Sequence, residues 1–169
     1  MLLRRLLLLL ALVVPFAALQ AADTVPLTKD DTEFANKATI GGLTEIQSAE
    51  TALKRNLTAE EQSFAKELIA DHKKANDELA AIAKAKNTTL PTGLNVKEQQ
   101  KLAKIGEVKD KDFNAKFLEH QITCHKKAID LFKDEADDGK DADLKAFAIK
   151  MLPHLKEHLE TAKRLEAKY

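Results

Sequence analysis

A single cysteine, Cys124, stands in 169 residues. No internal disulfide can staple the chain, so its stability must come from packing. Aromatic residues make up only 5% and there are five glycines, while alanine, leucine, lysine and glutamate abound. That composition favours helix over sheet, and no segment alternates with the two-residue period of a half-buried strand. An excess of charge of one sign is missing as well: 27 basic and 27 acidic side chains cancel, which removes the electrostatic case for a nucleic-acid partner. The sequence lacks a phosphate-cradling glycine loop, and no nucleophile stands at a plausible spacing from a base. Nothing in it names an enzymatic reaction.

The one long apolar run lies at the amino terminus. Arg4 and Arg5 precede the uninterrupted stretch from Leu6 to Val14, and Gln20-Ala21-Ala22 offers small residues just before Asp23. This is the pattern of a secretory signal peptide. Pro15 and the small residues leave the run short of the roughly 20 apolar residues that span a membrane. Residues 1–22 therefore read as a signal peptide cleaved after Ala21 or Ala22. Residues 23–169 read as one exported domain with no membrane span, periplasmic or secreted. The paired arginines lack the rest of a twin-arginine motif, and no cysteine follows the run to carry a lipid. Loss of Arg4 and Arg5 leaves 25 basic side chains against 27 acidic ones in the mature chain.

Caps and breaks divide that domain into helices. The first begins at an Asp30 or Asp31 cap and runs to about Lys54, with Phe34, Ala38, Ala49 and Ala52 on one stripe. Gly41-Gly42 inside it costs about 1 kcal/mol per glycine relative to alanine, which suits a bend or the close approach of a neighbouring helix. Thr58-Ala59-Glu60-Glu61 is a capping box. It opens a second helix to about Lys86, whose inner stripe includes Phe64, Leu68, Ala75 and Leu79. Pro91 and Gly93 mark a break, and Asn95 with Glu98 starts a short helix from Val96 to about Ile105. A further helix from about Lys111 to Asp137 buries Phe113, Phe117, Ile129 and Phe132, and Gly139 ends it. Asp141 caps the last, in which Pro153 predicts a kink.

The expected fold is all-α: a four-helix bundle of two antiparallel hairpins with a short extra helix in the central connection. The second helix is about 43 Å long at 1.5 Å per residue, and the 24 residues that follow it can just cross that length. A ferritin-like crossover uses such a link, whereas a simple up-down bundle hardly needs one.

One polar residue sits near the middle of each long helix and on its apolar stripe: Glu45, His72, His125 and His158. At about 100° per residue all four point inward, and they fall within about 5 Å of one level. Imidazole and carboxylate donors together suit zinc, iron, copper or manganese. A buried carboxylate hydrogen-bonded to a histidine would satisfy both groups without an ion, so a metal site and a metal-free polar layer both fit the pattern. His154, one turn before His158, and His120 with Glu119 at the border of the fourth helix are second-rank ligand candidates. Asp71 points about 100° away from His72 and is expected to face water, and Cys124 is expected to pack as a small apolar residue.

The same residues carry a resemblance. Gly42, Glu45 and Ile46, then Phe64-Ala65 with Asp71-His72, then Phe113 leading to Gln121 and His125, then Leu152-Pro153 followed by His158-Leu159, resemble the bacterial family called domain of unknown function 4142. The resemblance spans roughly residues 30 to 166. It implies a ferritin-like four-helix bundle and export across the inner membrane, often with an outer-membrane label, and it implies no established activity. The family's characteristic polar positions fall on Glu45, His72, His125 and His158, while Asn114 and Phe117 stand where the family pattern has Asp and Tyr. The outer-membrane label finds no support in helices with charged faces. Ferritin-like also suggests a di-iron oxidase, but those sites take a Glu-x-x-His pair from each of two helices, and no glutamate here stands three residues before a histidine. A single ion bound or sequestered in the envelope fits the residues better, with an interaction module built on a metal-free polar layer as the alternative. Enzymatic activity is not expected.

Overall fold

A computed structural model describes residues 26–169, so the signal peptide expected at residues 1–22 lies outside the described residues. Among the described residues there are five helices and no strand: α1 (Lys29–Ala52), α2 (Ala59–Ala85), α3 (Val96–Gly106), α4 (Asp110–Asp138) and α5 (Ala142–Glu166). None of these helices is long and apolar enough to cross a membrane.

Local chemistry sets most of their ends. The α2 capping box is closed in both directions: Thr58 Oγ1 accepts from the Glu61 amide at 3.3 Å, and Glu61 accepts from the Thr58 amide at 2.8 Å. The start of α1 differs from the sequence expectation. Thr28 is the cap, and Asp31 is its reciprocal partner at the third helical position. Asp31 then has a second use, because its Oδ1 accepts from the Lys140 amide at 2.9 Å and so ties α1 to the α4–α5 turn. Pro153 lies inside α5, which remains α-helical from Ala142 to Glu166 rather than breaking there. Both Pro153 and Ile149, whose carbonyl loses its helical donor to the proline, are exposed, so water can take the freed acceptor.

Two apolar clusters fix the topology. In one, Phe34 and Ala38 near the start of α1 meet Leu79 near the end of α2, Phe132 near the end of α4, and Leu144 at the start of α5. In the other, Ala49 and Ala52 from the end of α1 meet Phe64 and Leu68 of early α2, Phe117 of early α4, and Leu165 of late α5. Hence α1 and α5 run one way and α2 and α4 the other. The link from α2 to α4 must cross the whole bundle, as in ferritin-like folds. Neighbouring pairs are α1–α2, α4–α5, α1–α4 and α2–α5, with α3 laid over α1 and α4.

Arg55, in the α1–α2 turn, secures the far end of this crossover. Its guanidinium donates to the carbonyls of Gly106 at 3.0 Å and Val108 at 2.5 Å and to Asp110 Oδ1 at 2.9 Å, and it lies 4.3 Å from the centre of the Phe113 ring. Between α1 and α2, Gly42 lets the helices approach: an added Cβ would collide with the amide of Asn76, which donates to the Thr39 carbonyl at 3.4 Å. Gly41 faces open space.

Candidate metal centre

Between the two apolar clusters lies a polar layer, and the four residues singled out from the sequence supply its middle. Glu45, His72, His125 and His158 are 5, 8, 1 and 3% exposed. The imidazoles face one another across α2, α4 and α5, with ring centres 5.7 Å apart for His72–His125, 5.7 Å for His72–His158 and 5.3 Å for His125–His158. One ligand nitrogen from each of the three lies within 4.8 Å of the other two. Around a tetrahedral ion with bonds near 2.0–2.1 Å, nitrogens sit about 3.3 Å apart. Each ring therefore needs to move inward by less than about 1 Å to share one ion.

Hydrogen bonds set which nitrogen faces inward. His125 Nδ1 donates to the Gln121 carbonyl at 2.9 Å, one turn back on α4, which leaves its buried Nε2 without a partner. His158 makes the opposite choice: its Nε2 donates to Asp71 Oδ2 at 3.1 Å, leaving Nδ1 buried and unpartnered. His72 Nε2 has no partner either. Three inward nitrogens thus lack hydrogen bonds, in a layer where each unmet polar atom costs about 1–3 kcal/mol. Two of the three rings are held by an oxygen acceptor on the outer nitrogen, the support that metal-binding imidazoles ordinarily receive.

Burial keeps His72 and His125 in the ligating form. Burial pushes His72 down to about 3, and mutual repulsion with His125 and His158 adds to the effect. Burial likewise pushes His125 down to about 4, against the opposing hydrogen bond to Gln121. Both are neutral near pH 7 and carry a free lone pair. Burial pushes Glu45 up to about 8, opposed by hydrogen bonds from Cys124 and Gln121. Glu45 approaches the cluster only through its Oε1, 3.8 Å from His125 Nδ1, beyond hydrogen-bonding distance, while its Oε2 is buried without a partner. The three imidazoles thus converge on one another, and Glu45 stands beside them on the α1 side.

A cavity of about 380 Å³ reaches this point from the seam between α1 and α4, under α3, and Glu45, His72 and His125 form part of its wall. His120 and Cys124 line it too. Of the second-rank candidates, His120 is half-buried in that wall, whereas His154 and Glu119 are exposed, away from the cluster. Two expectations need correction. Asp71 does not simply face water: it is half-buried and bound to His158, because α2 turns that edge toward α5. Cys124 is not buried among apolar side chains but borders the cavity half-buried, with its thiol hydrogen-bonded to Glu45. Gln121, fully buried, bonds Ser48 Oγ at 3.3 Å and Glu45 through its side chain and holds His125 through its main-chain carbonyl, a contribution that no side-chain pattern reveals.

The family model for a domain of unknown function, DUF4142, matches residues 16–165. The chain belongs to that family. No curated protein matches this DUF4142 chain. Among solved structures it is similar to a DUF305 fragment from Deinococcus radiodurans, with 12% identity and a TM-score of 0.76 over 86% of this chain and all of that one. It is also similar to CopM in its Cu(I)-bound form, at 14% identity and a TM-score of 0.69, and in its Cu(II)-bound form, at 14% and 0.66. Each covers 82% of this chain and 96% of the CopM chain. At these identities the likeness is one of fold.

Proposed function

We propose that this DUF4142 protein is an exported bundle that binds one transition-metal ion in the centre formed by His72, His125 and His158. Its role is to hold or sequester that ion in the cell envelope. The reading rests chiefly on one observation: three buried, inward-facing imidazole nitrogens without hydrogen-bond partners, two of them on rings anchored from behind. A layer that served packing alone would be expected to pair these nitrogens, since unmet groups lower stability.

Neutral nitrogen donors of borderline softness suit copper and zinc first, then iron. The shared fold with the copper-bound CopM is compatible with copper. Three protein ligands leave a position open toward the cavity, where Glu45 stands. The arrangement provides no Glu-x-x-His pairs for a di-iron centre.

The direct test is the metal content of protein produced without a histidine tag, compared with Glu45→Ala and His125→Ala. Metal bound by the wild-type chain and the loss of one equivalent in His125→Ala is the expected result. Equal metal in all three proteins would instead leave a metal-free polar layer that sets helix packing.

A further inference from the structure

The wall of the cavity outside the imidazole cluster holds donors that the cluster does not use. His120 and Cys124 are one turn apart on α4, and Cys124 Sγ lies 3.6 Å from His120 Nε2 and 3.8 Å from Nδ1. A sulfur and a nitrogen bound to one tetrahedral ion, with bonds near 2.3 and 2.0–2.1 Å, sit about 3.5 Å apart. The pair is thus already spaced as a chelate. Both side chains are half-buried rather than sealed, and both border the cavity.

A second observation points inward from the same place. Glu45, next to the Cys124 thiol, carries the buried Oε2 without a partner. The thiol and the imidazole therefore border one accessible space whose wall also includes Glu45, His72 and His125, and the unmet Glu45 oxygen is itself buried.

We propose that His120 and Cys124, backed by Glu45, form a separate site for a soft, thiophilic ion, Cu(I) in the first place, on the route from solvent to the three-imidazole centre. Thiolate and imidazole donors select Cu(I) over the hard cations that carboxylates prefer. Binding exchanges the thiol proton for the ion: the S–H bond breaks, a sulfur–metal bond forms, and the proton leaves through the cavity. Oxidation state does not change. The site itself does not require the imidazole centre; only its place on an inward route rests on the reading above.

The test uses protein expressed from the full-length sequence, purified without a histidine tag and kept anaerobic, with Cu(I) alone as probe. Two quantities are read: the rate at which iodoacetamide alkylates Cys124, and the Cu(I) retained against a competing chelator. The expected result is that Cu(I) slows alkylation by about tenfold or more, because only the free thiolate reacts. This protection should persist in His125→Leu and weaken in His120→Ala. Retained Cu(I) should fall from two equivalents to one in Cys124→Ser. Unchanged alkylation in wild type that still retains one equivalent would overturn the proposal and leave the imidazole centre standing. Protection that vanishes in His125→Leu would also overturn it, since the thiol would then only sense the inner centre. A single equivalent that Cys124→Ser abolishes would uphold this site and sink the imidazole one.

Discussion

Asp71 Oδ2 accepts the Nε2 proton of His158 at 3.1 Å across the α2–α5 seam, and so turns the free lone pair of that ring toward His72 and His125. A carboxylate in this role fixes the tautomer and raises the basicity of the ligand. Asp71→Asn should weaken metal binding by about 10–100-fold. Thermal stability without metal should change little, because the Asp71 side chain is 39% exposed and solvent screens its charge. Competition against a chromophoric chelator measures the affinity, and an unchanged dissociation constant would remove Asp71 from the centre.

His72 gives the cleanest separation of binding from folding. Its Nε2 is buried and unpartnered, so replacing the ring with an apolar side chain of similar size removes an unmet group. His72→Leu should raise the stability of the metal-free protein by about 1 kcal/mol, or about 2–4 °C in melting temperature. It should also abolish the upward shift expected on loading the wild type with metal, about 2.7 kcal/mol at a free ion concentration of 100 times Kd. A lower melting point without metal would show that the nitrogen is satisfied after all.

The stability of the metal-free protein should peak between about pH 6 and 7, because two sets of groups oppose each other. His72 and His125 are depressed from 6.5 to about 3 and about 4, and His120 to about 4. The unfolded chain therefore binds more protons than the folded one below 6.5, and stability falls as pH drops toward 4. Glu45 is raised from 4.5 to about 8 and Glu135 to about 7. Their contribution is full below about 4.5 and is lost as pH rises through 7 to 8. Urea unfolding across this range measures the profile. Glu45→Gln should flatten the alkaline side, and an unaltered slope there would show that Glu45 is ionised throughout.

The adjacent glycines of α1 should respond differently. Gly41 faces open space, so Gly41→Ala gains helix propensity and should stabilise by about 1 kcal/mol. Gly42→Ala gains the same but pushes the Asn76 amide off the Thr39 carbonyl. That lost hydrogen bond is worth about 1 kcal/mol, so the net change should be near zero. Equal melting temperatures for the two variants would contradict the close helix approach at Gly42.

Much of this molecule is written in local patterns. The Thr58–Glu61 box, the Asp141 cap, and the apolar spacing around Phe64, Phe117 and Leu144 each need only one helix to be understood. The length of the α2–α4 link favoured the crossover. The inward direction of Glu45, His72, His125 and His158 follows from a 3.6-residue period alone. What the period cannot show is which helix stands beside which. Asp71 lies 100° from His72 on its own helix, and only the neighbouring α5 turns it into the partner of His158. Cys124 likewise looks like a small core residue until α3 and α1 are seen to leave space in front of it. Thr28 does not stand out as a cap in the sequence because Asp30 and Asp31 carry the same preference, and the choice rests on which side chain can be answered from the third helical position.

The three converging rings are divided unequally between the two hairpins, His72 on α1–α2 and His125 with His158 on α4–α5. Neither hairpin alone holds a three-coordinate set. An ion at this point is a rivet between halves, and its binding energy acts on their docking rather than on the formation of either pair. Loading should thus make the two halves unfold together, and the rate of metal release should follow how often the seams between them part.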